Sequence, residues 1–156
     1  MANLDQCLLD AAKAAFSESF LKGTPNKDNC SGFVKSVAAK LGVPLPATAD
    51  ADGIADALSS GWSKLKSGIE AARSASTGHL VLAVLKGADH NPPRRHGHVG
   101  VVVAGALYRE LYPKLWCGSL GGQAQSQGEK SVGEVWNRAD RDSVAYYEYT
   151  AAVCRA

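Results

Sequence analysis

Gly78-His79-Leu80-Val81-Leu82-Ala83-Val84-Leu85 is the stretch in which the chain changes its period. Leu80 to Leu85 are apolar without interruption, a run far too short to cross a membrane and suited to a buried strand, so a strand is expected over His79–Leu85. Upstream of it the apolar residues follow a helical spacing. Leu4, Cys7, Leu8, Ala11, Ala12, Ala15 and Phe16 predict an amphipathic helix from Leu4 to Phe20 that ends near Lys22-Gly23. The turn-rich segment Thr24–Asn29 follows, then a second helix with Phe33, Val34, Val37, Ala38 and Leu41 on one face, stopped by Gly42 and Pro44. Ala51–Leu58 and Lys66–Ser74 read as two short Ala-rich helices, broken by Gly61 and Gly68 and expected at the periphery. Downstream of Gly78, His98–Val103, Leu115–Leu120 and Val144–Thr150 read as strands. Loops are expected at Gly87–Gly97 and at Gly121–Glu129. Helices first and strands afterwards predict an α+β fold, with the N-terminal helices packed on an antiparallel sheet and the second helix at its centre.

The 156 residues fit one domain, and 46% hydrophobic with 21% charged residues is a folded, globular composition. A formal net charge of +2 argues against a nucleic-acid-binding protein, and no apolar run argues for a membrane span. Met1 to Leu9 carry Asn3, Asp5 and Gln6 with no basic region before an apolar core, so no Sec-type export signal is expected.

Cys30 is the first candidate for chemistry. Asp28 or Asn29 caps the second helix, which puts Cys30 in its first turn, where the helix dipole and unpaired backbone N–H groups favour a thiolate. The backbone N–H groups of Cys30 and Ser31 are placed to hold an oxyanion, and Gly32 leaves room for close approach. The bland alternative is an inert buried cysteine. Of His79, His90, His96 and His98, the last is best placed as a base, because it opens an apolar strand that holds its ring rigidly. His90 and His96 lie on the loop, and Pro92-Pro93-Arg94-Arg95 reads as a solvated segment. No metal site is expected from these histidines, because no carboxylate pair or CxxC completes a ligand set.

Cys117, in a later strand, is either a third member beside the base, though a weak hydrogen-bonding one, or a core residue. The four cysteines allow three full pairings. With Cys30 reserved as a thiolate, Cys7–Cys154 is the economical bridge, the alternative being that neither is paired.

Gly23-Thr24-Pro25-Asn26-Lys27-Asp28-Asn29-Cys30-Ser31-Gly32-Phe33-Val34, with Leu41-Gly42-Val43-Pro44, resembles the nucleophile segment of the first family of type VI secretion amidase effectors. Gly97-His98-Val99, Trp116-Cys117-Gly118-Ser119, Gln125-Ser126-Gln127-Gly128 and the segment Ser131 to Arg138 extend the likeness over nearly the full chain. The resemblance implies a papain-like, NlpC-type cysteine amidase fold, with residues 1–156 forming one peptidoglycan amidase domain. It implies Cys30 as nucleophile, His98 as base, Cys117 at the third position, and Cys7 joined to Cys154, with no cofactor and no metal. It also implies cleavage of peptidoglycan stem peptides between D-glutamate and meso-diaminopimelate by a monomer that the type VI secretion apparatus delivers into a rival's periplasm. There a cognate immunity protein blocks the active site. The competing expectations are a cut at the diaminopimelate–D-alanine crosslink and a non-catalytic wall-binding module. One departure is Ala88 to His96, which is longer than the family pattern.

Overall fold

The computed structural model describes residues 4–119 and 127–154. Helix α1 (Gln6–Phe16) is shorter than its apolar pattern, and Ser17 closes it. Helix α2 (Cys30–Lys40) begins where the cap predicts, with Asn29 as the N-cap. Helix α3 (Ala51–Gly61), strand β1 (Ser63–Leu65) and helix α4 (Gly68–Ser76) come next. The rest is mainly β: β2 (Val81–Leu85), β3 (His98–Val102), β4 (Lys114–Cys117), β5 (Gly128–Ser131), a single turn of helix α5 (Val132–Val135), and β6 (Ala145–Glu148).

These strands form one antiparallel sheet in the order β1-β6-β2-β3-β4-β5. The register sets Leu85 opposite His98 and Val102 opposite Leu115, so His98, Gly100, Leu115 and Cys117 share one face. On that face Ser74 of α4 donates a hydrogen bond to Glu148 at 2.6 Å. On the other, Trp116 meets Phe16 edge-on with ring centroids 5.7 Å apart, and Phe16 meets Phe33 of α2 at 6.2 Å. Helices thus cover both faces, which explains why β2 is buried at every position and reads as a continuous apolar run.

The expectation that α3 and α4 are peripheral is corrected: Ile54, Leu58, Ala71 and Ala75 are fully buried against the sheet. Small side chains let these helices approach closely, so their low aromatic content does not mark them as outliers. Strands β1 and β5 were not expected. They are the two edges of the sheet, short and polar, without the apolar pattern that identifies inner strands. The anticipated loop at Gly121–Glu129 lies largely outside the described residues, and its end is β5.

Cys7 and Cys154 form a disulfide across 147 residues of sequence with Cα atoms 5.5 Å apart, as expected. Gly78, at φ +88°, seats the far end, because a Cβ there would lie 2.8 Å from the Cys154 carbonyl oxygen. Its own carbonyl accepts the N–H groups of Val153 at 2.8 Å and Cys154 at 3.0 Å.

Candidate active site

The entry to α2 is built by two asparagines. Asn29 adopts an extended conformation and its side chain accepts the Gly32 N–H at 3.1 Å, which starts the helix at Cys30. Gly32 permits a close approach, as expected, and the group that approaches is the cap: a Cβ there would lie 2.6 Å from Asn29 Nδ2. Asn26 is fully buried. It accepts the Phe20 N–H at 2.9 Å and donates to the Ala15 carbonyl and Ser36 Oγ, each at 2.8 Å. One side chain therefore ties the end of α1, the loop and α2 together. The same loop docks on the end of β4, where Ser119 N–H donates to the Lys27 carbonyl at 2.9 Å.

Cys30 and His98 line one open cavity of about 600 Å³, together with Ser31, Asp50, Ser119, Trp136 and the β2–β3 loop. Cys30 carries a free thiol. Burial pushes that thiol up, against backbone N–H groups of Val99, Ser31 and Cys30 itself, which point at the sulfur and favour the thiolate. The Val99 N–H comes from the strand that begins with His98, so β3 supplies both an imidazole and a backbone donor to the cavity.

His98 is held by Trp136, whose ring meets the imidazole in an edge-on arrangement at 5.1 Å. Its Nε2 is buried and has no hydrogen-bond partner among the described residues. Burial, then the charges of His90 and Arg94, lower its pKa to about 4. At neutral pH the ring is therefore an unprotonated base and the thiol keeps its proton. Both groups are therefore neutral at rest, because desolvation of the thiol outweighs the backbone N–H groups that favour the thiolate.

Cys117 is fully buried, on the same sheet face as His98 and one strand across. A Cβ on Gly100 would lie 3.2 Å from Cys117 Cβ, so that glycine permits the close packing of the two strands. Burial, followed by the charge of Cys30, raises the Cys117 thiol beyond the range in which it ionises.

The β2–β3 loop departs most from expectation. The Gly87 carbonyl accepts the N–H groups of His90 at 3.2 Å and Arg94 at 2.8 Å, and its N–H donates to Asp52 at 3.0 Å. His90 is buried with Nδ1–H donating to Asp140 at 2.9 Å, and the Asn91 N–H takes the other oxygen of Asp140 at 2.6 Å. The loop is thus ordered at its base, and Arg94, Arg95 and His96, exposed as a solvated segment should be, stand along a wall of the cavity. Asp140 and Asn26 escaped the sequence reading, and neither carries a local signal: Asp140 is fifty residues from its partner.

No family model matches the chain. Among curated proteins it is similar to the peptidoglycan amidase Tse1 of Pseudomonas aeruginosa, 56% identical over 155 residues that cover 99% of this chain and 96% of the relative. Likeness of that extent cannot be confined to one motif: it spans α2 with Cys30, β3 with His98 and the disulfide at both ends. The chain belongs to the family of the peptidoglycan amidase Tse1, the type VI secretion amidases that its motifs resemble.

Proposed function

We propose that this chain is a cysteine amidase that hydrolyses peptidoglycan stem peptides at the γ-D-glutamyl–meso-diaminopimelate bond. The observation that carries the reading is Cys30, on the first turn of α2, sharing one open cavity with His98 at the start of β3. Similarity to a protein named as a peptidoglycan amidase supports the substrate class.

In this mechanism His98, neutral at rest, takes the proton of Cys30 as the sulfur attacks the amide carbonyl carbon. The C=O pair moves onto oxygen, and backbone N–H groups of Cys30 and Ser31 at the helix start offset the charge. Collapse breaks the C–N bond, and the imidazolium returns the proton to the departing amine. Water, deprotonated by His98, then cleaves the thioester and restores the thiol. Trp136 holds the imidazole during both transfers. Cys117, across from Gly100 on the same face, occupies the third position and positions the pair without touching substrate. The same reading has the chain delivered by a type VI apparatus into a target periplasm, and an immunity protein covering the cavity.

The test is digestion of purified sacculi by the wild-type chain and by Cys30→Ala, with the muropeptides read by mass spectrometry. Cleavage of the γ-D-glutamyl bond by wild type alone is expected. Equal release by both proteins would refute the catalytic reading, and cutting only at the D-alanine crosslink would refute the bond assignment.

A further inference from the structure

The cavity holds more positive charge than its chemistry uses. Arg94 and Arg95 line it, and among the described residues neither guanidinium makes an ion pair or a side-chain hydrogen bond. His90 lines it too, buried, with Nε2 lacking a partner among the described residues. The carboxylates nearby are already committed. Asp50 caps α3 through the Gly53 N–H at 2.9 Å, and both oxygens of Asp140 are taken by His90 and Asn91.

The loop is also pre-built. Five hydrogen bonds on Gly87 and Asp140 fix its course before any ligand arrives, so the two arginines stand on an ordered wall. Two guanidinium groups without an ion-pair partner, on an ordered wall beside a nucleophile, are a receptor for an anion attached to the substrate.

We propose that Arg94 and Arg95 form a carboxylate subsite of the catalytic cavity, which binds a free carboxylate of the peptide stem close to the scissile amide. This rests on the amidase reading above. A γ-linked glutamate necessarily leaves its α-carboxylate free, and diaminopimelate carries carboxylates of its own, so the substrate class supplies the anion. The subsite then orients the carbonyl toward Cys30 and selects stems whose carboxylate is not amidated.

The experiment compares soluble stem peptides with each carboxylate either free or converted to carboxamide, cut by wild type and by the Arg94→Gln, Arg95→Gln double variant. Both arginines are exposed, so the variant keeps the fold. Wild type is expected to lose about tenfold or more in kcat/KM on amidation of one carboxylate, mainly through KM, and that position identifies the ligand. The double variant should cut the free and amidated peptides about equally. If it keeps the wild-type preference, or if wild type shows none, the subsite is refuted while the amidase reading stands. If wild type cuts no stem peptide, the amidase reading fails. Calorimetry of Cys30→Ala with the same peptides then decides the subsite: binding that needs the carboxylate and both arginines supports it, and any other result overturns it.

Discussion

Lowering the pH is the most discriminating perturbation, because it acts on the one group whose environment the structure changes most. His98 titrates near 4, chiefly through burial and then through His90 and Arg94, whereas an exposed histidine titrates near 6.5. At about pH 5 only about a tenth of His98 carries a proton, so about nine-tenths of the plateau kcat/KM remains; an ordinary histidine would leave about one thirtieth. The same displacement is a stability statement. The folded pKa lies below the unfolded one, so the unfolded chain binds more protons between about pH 4 and pH 6.5, and stability falls as pH drops through that window. The loss between about pH 7 and pH 5 is about 2 kcal/mol from this residue. Two assays check it: kcat/KM on a soluble stem peptide against pH, and guanidinium unfolding of wild type beside His98→Gln, which lacks this component. An acid limb near 6.5, or an ultraviolet thiolate band at neutral pH that Cys30→Ser removes, would refute the neutral pair.

Cys7→Ser should lower stability by about 5 kcal/mol in oxidising buffer, from the closure entropy of a 147-residue separation, with kcat unchanged below the melting transition. Guanidinium melts with and without reductant check it, and a loss under about 1 kcal/mol refutes it. Asn26→Ala removes three buried hydrogen bonds and should cost about 3 kcal/mol, with kcat falling more than KM rises, because the loop that starts α2 slackens. Unchanged kcat in a folded variant would show that Cys30 does not depend on that anchor. Cys117→Ala should cost only about 1 kcal/mol, yet move the acid limb of the pH profile if Cys117 positions His98; an unmoved limb assigns it to packing alone.

What the sequence disclosed follows a physical divide. The helix-strand switch at Gly78 and the start of α2 are written in local patterns, periodicity in one case and an Asn cap in the other, and both stand in the structure. Cys30 and His98 were legible because each sits at the beginning of a strongly patterned element. The Val99 N–H beside the sulfur was not, since a backbone donor has no residue identity to read. Asn26 looked like a turn residue, and only the fold shows its amide satisfied on three sides. His90 and Asp140 meet across fifty residues, so no spacing rule could pair them. Edge strands β1 and β5 left no apolar trace because half of their surroundings is solvent. The resting charge of the cysteine was illegible for a related reason: the helix dipole is a local property, and desolvation is a property of the whole assembled site.

A protonated Cys30 also governs how the protein ages. Oxidants and disulfides react with thiolates, so a sulfur that keeps its proton is slow to become a sulfenic acid and slow to attack Cys7–Cys154. One chain can then carry a structural bridge and a free thiol side by side without scrambling them. In the proposed mechanism reactivity stays latent until a carbonyl sits beside the sulfur and His98 withdraws the proton.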